Sequence, residues 1–230
     1  MNAQIETVAS SISSAALIRL TAMILFARDG PPFDRLRKEL AMGRIIVTEF
    51  VSTDGVMEAP GGDEGYKYKN WTFEFPDEGQ YDYKVEELQE SEALLLGRVT
   101  YEGFAAAWPE RTDEQGFADK FNSMPKYVVS STLQDPEWNN TTVLEGEFPD
   151  SVRRLKDEVD GNVVVHGSTM LVHGLLQHDL VDELRLMIFP VLLGTGKNVY
   201  PDLEDRLVWD LADHRTYGSI VVHAYKRPGR

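Results

Sequence analysis

From residue 45 onward, apolar and polar positions fall into short blocks, and the spacing within each block predicts an element. Ile45-Ile46-Val47 and Phe50-Val51 form a first strand that ends at the turn Ser52-Thr53-Asp54-Gly55. A long polar loop with Pro60-Gly61-Gly62 and several aromatics follows, reaching Phe75. Gly79 to Ser91 has helical spacing, with Tyr83, Val85 and Leu88 on one side. Ala93 to Leu96, Tyr127 to Val129, Thr142 to Leu144 and Val163 to Val165 are brief apolar runs, as expected for strands covered on both faces. Helices are predicted over Thr100 to Ala107, Glu114 to Asn122, Pro149 to Glu158 and Thr169 to Gln177, the third with proline near its start. Leu184 to Phe189 and Ser219 to Tyr225 complete the strands. Strand–helix–strand alternation of this kind implies an α/β fold, with a mostly parallel sheet between helical layers.

Residues 1–41 follow a different pattern. Ser and Ala are frequent, the spacing is vaguely helical, and Gly30-Pro31-Pro32 breaks it. Met42-Gly43-Arg44 then leads at once into a strand. The expectation is an N-terminal extension over 1–41 outside the fold, and one folded domain over 42–230. Ala15 to Ala27 is the one membrane-like stretch, but it is too short to span and contains Arg19. Glu6 precedes it and no Lys or Arg does, so it lacks the positive start of a signal peptide. A cytoplasmic protein with no membrane partner is therefore expected.

Composition narrows the chemistry. The chain has no cysteine, which excludes disulfides, thiolate metal sites and a cysteine nucleophile. No His/Glu cluster has metal spacing and no serine sits in a nucleophile elbow. The net charge of −15 speaks against a nucleic-acid partner. An anionic cofactor would meet long-range repulsion, so its site must supply local donors: backbone N–H groups, hydroxyls and a few cations.

Four segments offer such donors, and each also has a plain reading. Gly97-Arg98-Val99-Thr100-Tyr101-Glu102 follows a buried strand and opens a helix, which favours phosphate; alternatively Thr100 is a cap and Arg98 a surface residue. Ser130-Ser131-Thr132 after the next strand could bind a 2′-phosphate or be a polar turn. His166-Gly167-Ser168-Thr169-Met170 again joins a strand to a helix; Gly167 permits close backbone approach, while Ser168 could be an ordinary cap. The usual G-x-G-x-x-G fingerprint is absent. Leu180-Val181-Asp182-Glu183-Leu184 precedes the fourth, a loop with Pro190, Gly194 and Gly196.

Taken together and in this order, the segments resemble the dihydrofolate reductase-like superfamily. Within it they resemble the branch containing the C-terminal reductase domain of bifunctional riboflavin-biosynthesis deaminase/reductases. The resemblance runs from Gly43 to about Lys226. It implies a three-layer αβα fold with NADPH along the strand ends, and a homodimer. Gly97, Arg98, Val99 and Thr100 would meet the cofactor's phosphates, Ser130 and Ser131 the adenosine 2′-phosphate, and Gly167, Ser168, Thr169 and Met170 the pyrophosphate. The Asp54 loop would close over the nicotinamide.

Two departures leave the substrate open. The riboflavin-pathway reductases carry Glu immediately before the third turn, where this chain has His166. The folate enzymes keep an acid on the first helix, a place that Asp82 could occupy. The expected activity is an NADPH-dependent oxidoreductase delivering hydride to a small C=N or C=O substrate, either a pterin/folate or a riboflavin-pathway pyrimidine, as a 5-amino-6-(5-phosphoribosylamino)uracil reductase does. Asp54 and His166 are the candidate catalytic groups. Trp71 and Asp82 are the candidate substrate-binding groups, with Tyr66, Tyr68 and Phe73 extending an apolar wall. The rival from a different class is a non-catalytic NADP-binding sensor or scaffold.

Overall fold

The computed structural model describes residues 42–62 and 65–229; the predicted extension lies outside them. Eight strands form one sheet: β1 (Arg44–Ser52), β2 (Ser91–Gly97), β3 (Lys126–Val129), β4 (Thr141–Val143), β5 (Asn162–His166), β6 (Glu183–Phe189), β7 (Asp210–Tyr217) and β8 (Ile220–Lys226). Five α-helices accompany them: α1 (Glu78–Gln89), α2 (Arg98–Ala107), α3 (Phe117–Ser123), α4 (Asp150–Glu158) and α5 (Thr169–Gln177). The strand order is β4-β3-β2-β5-β1-β6-β8-β7. The run from β4 to β6 is parallel, and β8 and β7 close the sheet as an antiparallel hairpin.

The alternation along each strand sorts side chains into two layers. Ile45, Val47, Leu95, Val163 and Val165 pack against Val152 and Leu155 of α4 and Leu171, Val172 and Leu175 of α5. Leu94, Leu96, Val128 and Val164 face the other way, onto Leu88 of α1, Tyr101 of α2 and Phe117 and Phe121 of α3. The wholly apolar strands read in the sequence are thus the covered ones. This is the three-layer αβα arrangement that the resemblance implied.

Right-handed crossovers fix where ligands can enter. The path from β2 through α2 moves outward to β3, whereas the path from β5 through α5 moves the opposite way, past β1 to β6. Neighbouring strands β2 and β5 therefore send their helices to opposite faces of the sheet. A crevice opens between them at the carboxyl ends, the switch point where open α/β sheets take ligands.

Candidate functional site

Gly97 and Gly167 stand at the ends of β2 and β5, on the two sides of this crevice. The N-cap positions of the helices that follow are Gly97 and Ser168, and neither side chain caps its helix. Ser168 is left-handed at φ 65°, directly after Gly167 at φ 63°. Its hydroxyl is turned away from its own helix and accepts the Gly97 N–H at 2.9 Å. The plain cap reading of Ser168 therefore does not hold: the hydroxyl straps the β2 turn to the β5 turn. A Cβ on Gly167 would come within 3.2 Å of Thr100 Cγ2. The first-turn N–H groups of two helices thus converge on one crevice, as phosphates require. Val99 is 71% and Met170 83% exposed beside it, apolar side chains left uncovered at the mouth.

Continuing along the strand ends, a cleft of about 430 Å³ is lined by Arg98, Ser130, Ser131, Gly146, Glu147 and Ser151. The structure thus brings Arg98, expected at the cofactor's phosphates, beside Ser130 and Ser131, expected at the 2′-phosphate. Arg98 Nη1 donates to both carboxylate oxygens of Glu102, at 2.8 and 2.9 Å, and Ser130 Oγ accepts the N–H groups of Thr132 and Leu133. Glu147 adds a carboxylate that the sequence reading did not include.

The expected catalytic and substrate residues are placed differently. The Asp54 carboxylate accepts from Ser52 Oγ at 2.6 Å, Gly194 N at 2.7 Å and Leu193 N at 3.2 Å. The Ser52 hydroxyl, with the two amides, holds its carboxyl below the usual range. It is an ionised brace between two loops and not a proton donor. Trp71 is 2% exposed, stacks edge-on against Phe189 and donates its indole N–H to the Glu58 carbonyl. It is a core residue and offers a substrate no stacking face. Asp82 lies on the outer side of α1 and accepts from Gln115 Nε2 at 3.0 Å.

His166 lies at the end of β5, facing α1 and α3, with its Nε2 sealed from solvent and without a hydrogen-bond partner among the described residues. Burial, with the Lys84 charge nearby, pushes its pKa down to about 3, so the ring is neutral at physiological pH. In that form it can donate or accept a hydrogen bond, and the lowered pKa disfavours the general-acid role expected of it. Its β1 neighbour Thr48 accepts from Lys84 Nζ at 3.0 Å, and Lys84 also binds Glu87. Arg185 joins Glu87 to Glu183.

On the opposite face of β1, Glu49 is 5% exposed among aliphatic side chains. Its Oε2 accepts the Gly167 N–H at 2.9 Å, and its Oε1 has no partner among the described residues. Burial raises the Glu49 carboxyl well above its ordinary range; the Gly167 bond and the Lys84 charge only partly oppose this. The sequence reading missed Glu49, Lys84 and Glu87. One signal was present: Ile45, Val47, Glu49 and Val51 share the inward side of β1 by strict alternation, and Glu49 is the polar intruder.

The geometry suits a dinucleotide: two uncapped helix starts, a glycine whose Cβ would intrude, and a hydroxyl-lined cleft further along. Known proteins agree with the fold. The chain is 21% identical to a putative riboflavin biosynthesis protein from Shewanella sp. PV-4, with a TM-score of 0.64 covering 80% of this chain and 98% of that one. A dihydrofolate reductase from Enterococcus faecalis, solved with NADP(H), superposes with a TM-score of 0.52 at 14% identity over 80% of this chain and 96% of the other. The Bacillus subtilis protein YyaP is 28% identical over 190 residues, 81% of this chain and 96% of its own length. Residues 44–223 match the RibD C-terminal domain, and the chain belongs to that family.

Proposed function

We propose that this chain is an NADPH-dependent reductase that transfers hydride to a small C=N or C=O substrate. The observation that carries the reading is the strap between Ser168 and Gly97, which holds two uncapped helix starts at the sheet's switch point. Gly97 to Thr100 and Gly167 to Met170 would hold the pyrophosphate region. Arg98, Ser130 and Ser131 would hold a 2′-phosphate, with Arg98 exchanging Glu102 for it. The cofactor, when bound, supplies the hydride; the protein orients it and excludes water. The NADP(H) of the Enterococcus dihydrofolate reductase and the match to the RibD C-terminal domain support this cofactor and a pterin or pyrimidine substrate. The same reading makes the protein a cytoplasmic homodimer. The uncovered edge strand β7, with Leu211 exposed on it and Val208 just before it, would supply an interface.

The test begins with the cofactor. Charge-assisted contacts contribute about 1.5–3 kcal/mol each, so NADPH should bind roughly tenfold or more tightly than NADH by calorimetry. Equal dissociation constants would remove the 2′-phosphate assignment. NADPH oxidation across pterin, pyrimidine and simple imine or carbonyl substrates then tests turnover. One observation favours the second reading, a non-catalytic NADP-binding protein: Asp54 is ionised and committed to the loops, and His166 is neutral. Tight NADPH binding with no turnover on any substrate would decide for it.

A further inference from the structure

Glu49 stands out because an aliphatic side chain at its position would continue the core, yet the chain buries a carboxyl group there. Its surroundings are the aliphatic layer beneath α4 and α5. β5 presents Val165 and the Gly167 amide, and β6 pairs Leu186 with Glu49 itself. The α5 members of that layer are Leu171, Val172, Leu175 and Leu176, all aliphatic, and its His173 is bonded to the Asn198 carbonyl. The charges that reach Glu49 are those of Lys84 and Glu87, on α1 across the sheet. A carboxylate so buried, with one N–H bond and no cation in contact, is strongly disfavoured against its neutral acid. As the acid, its two oxygens do different work. Oε2 is the carbonyl that accepts from Gly167. Oε1 carries the proton, a donor with no acceptor among the described residues.

We propose that Glu49 is a positioning residue for the cofactor turn: as a neutral carboxylic acid it fastens the Gly167 amide inward, so that the left-handed Gly167-Ser168 pair presents its outer side to the phosphates of a dinucleotide. Fixing Gly167 also fixes Ser168, whose hydroxyl sets the β2 turn through Gly97. One buried acid thereby governs both sides of the crevice. Neutrality matters, because a full negative charge directly under the turn would repel the anionic ligand. The inference rests on the dinucleotide reading of the crevice.

Two variants and a pH series test it with NADPH as the probe. Glu49→Gln keeps the carbonyl acceptor without an ionisable proton, so it should bind NADPH within about twofold of the parent at neutral pH. Glu49→Leu removes the acceptor and should weaken binding tenfold or more. Any fall in the parent's affinity relative to that of Glu49→Gln should come only well above pH 4.5, since only the parent can acquire the charge and burial holds its proton past that value. A Gln variant that binds far more tightly or far more weakly than the parent at neutral pH, or a parent whose affinity already falls away from that of Glu49→Gln as pH rises through the ordinary carboxylate value of 4.5, would overturn the neutral acid. A Leu variant that binds like the parent would overturn the positioning role. Should the parent fail to bind NADPH, the cofactor reading falls, and the Gly167 amide resonance still decides the inference. It should be little changed in Glu49→Gln and should diverge from the parent's only well above pH 4.5. A parent Gly167 resonance that titrates near the ordinary carboxylate value of 4.5, while that of Glu49→Gln does not, would overturn the proposal.

Discussion

His166 and Glu49 are neighbours across two strands, and each is held in its neutral form by burial, one as a base and one as an acid. Their effects on stability have opposite signs. His166 ionises near 3 in the folded protein against an ordinary value of 6.5, so the unfolded chain takes up its proton first and stability falls as pH drops below about 6.5. Glu49 keeps its proton in the folded protein above its ordinary value of 4.5, so the unfolded chain releases a proton first and stability falls as pH rises past that value. Between 4.5 and 6.5 the two slopes oppose each other, each by up to about 1.4 kcal/mol per pH unit. His166→Leu should therefore unmask the Glu49 slope, with a melting temperature that rises relative to the parent's as pH is lowered through this window. A variant that melts in parallel with the parent would show that His166 titrates normally. The sequence displayed both residues, His166 as the departure from the riboflavin-pathway glutamate and Glu49 as a break in an aliphatic alternation. It could not show their protonation, because that depends on which helices cover each face. Lys126 makes the same point: it is fully buried in β3, its ammonium held by the carbonyls of Asn122, Met124 and Asn139.

Elements were legible wherever a hydrophobic period existed. The covered strands β2, β3 and β5 and helix α5 begin and end within two residues of their expected positions, because apolar runs and glycine turns mark them. Helix α2 begins at Arg98 instead of Thr100, since Gly97 at φ −83° and ψ 157° is itself the extended N-cap. Strand β7 was missed altogether: Asp210 to Tyr217 is almost wholly exposed, so it has no buried face to impose an apolar period, and its pairing with β8 is a long-range property. The crevice was legible as glycine and hydroxyl turns after strands, but the strap between them was not, because Ser168 and Gly97 are 71 positions apart. That strap makes the turns a coupled pair and sets a testable order. Gly167→Ala puts a Cβ on a backbone at φ 63° and against Thr100, costing about 1–3 kcal/mol of strain. It should weaken NADPH binding more than it lowers the melting temperature. Ser168→Ala leaves the Gly97 N–H without its partner, a loss of about 1 kcal/mol, and should weaken binding by only a few-fold. Melts with and without NADPH separate the two, and an affinity unchanged in Gly167→Ala would move the pyrophosphate away from this turn.

At the scale of the whole molecule, charge sets a conflict between approach and capture. The net charge of −15 repels an anionic cofactor at long range, whereas the donors that would hold it are local: helix-start amides, two serine hydroxyls and Arg98. Salt separates the two effects because screening depends on distance. The Debye length is about 30 Å near 0.01 M salt and about 8 Å near 0.15 M. Raising the salt between these values removes most of the repulsion felt by an approaching NADPH and much less of the contact attraction once it is seated. The association rate should therefore rise with salt, by roughly severalfold if the field at the crevice is of the order of kT, while the dissociation rate changes little. The same screening relieves self-repulsion within the acidic surface, so the melting temperature without ligand should rise over the same range. Stopped-flow quenching of tryptophan fluorescence would give both rates. An association rate that falls with salt would mean that Arg98 and its neighbours dominate the field at the mouth despite the acidic surface. The expected outcome is the reverse: a site that attracts phosphate at contact inside a molecule that repels it at a distance.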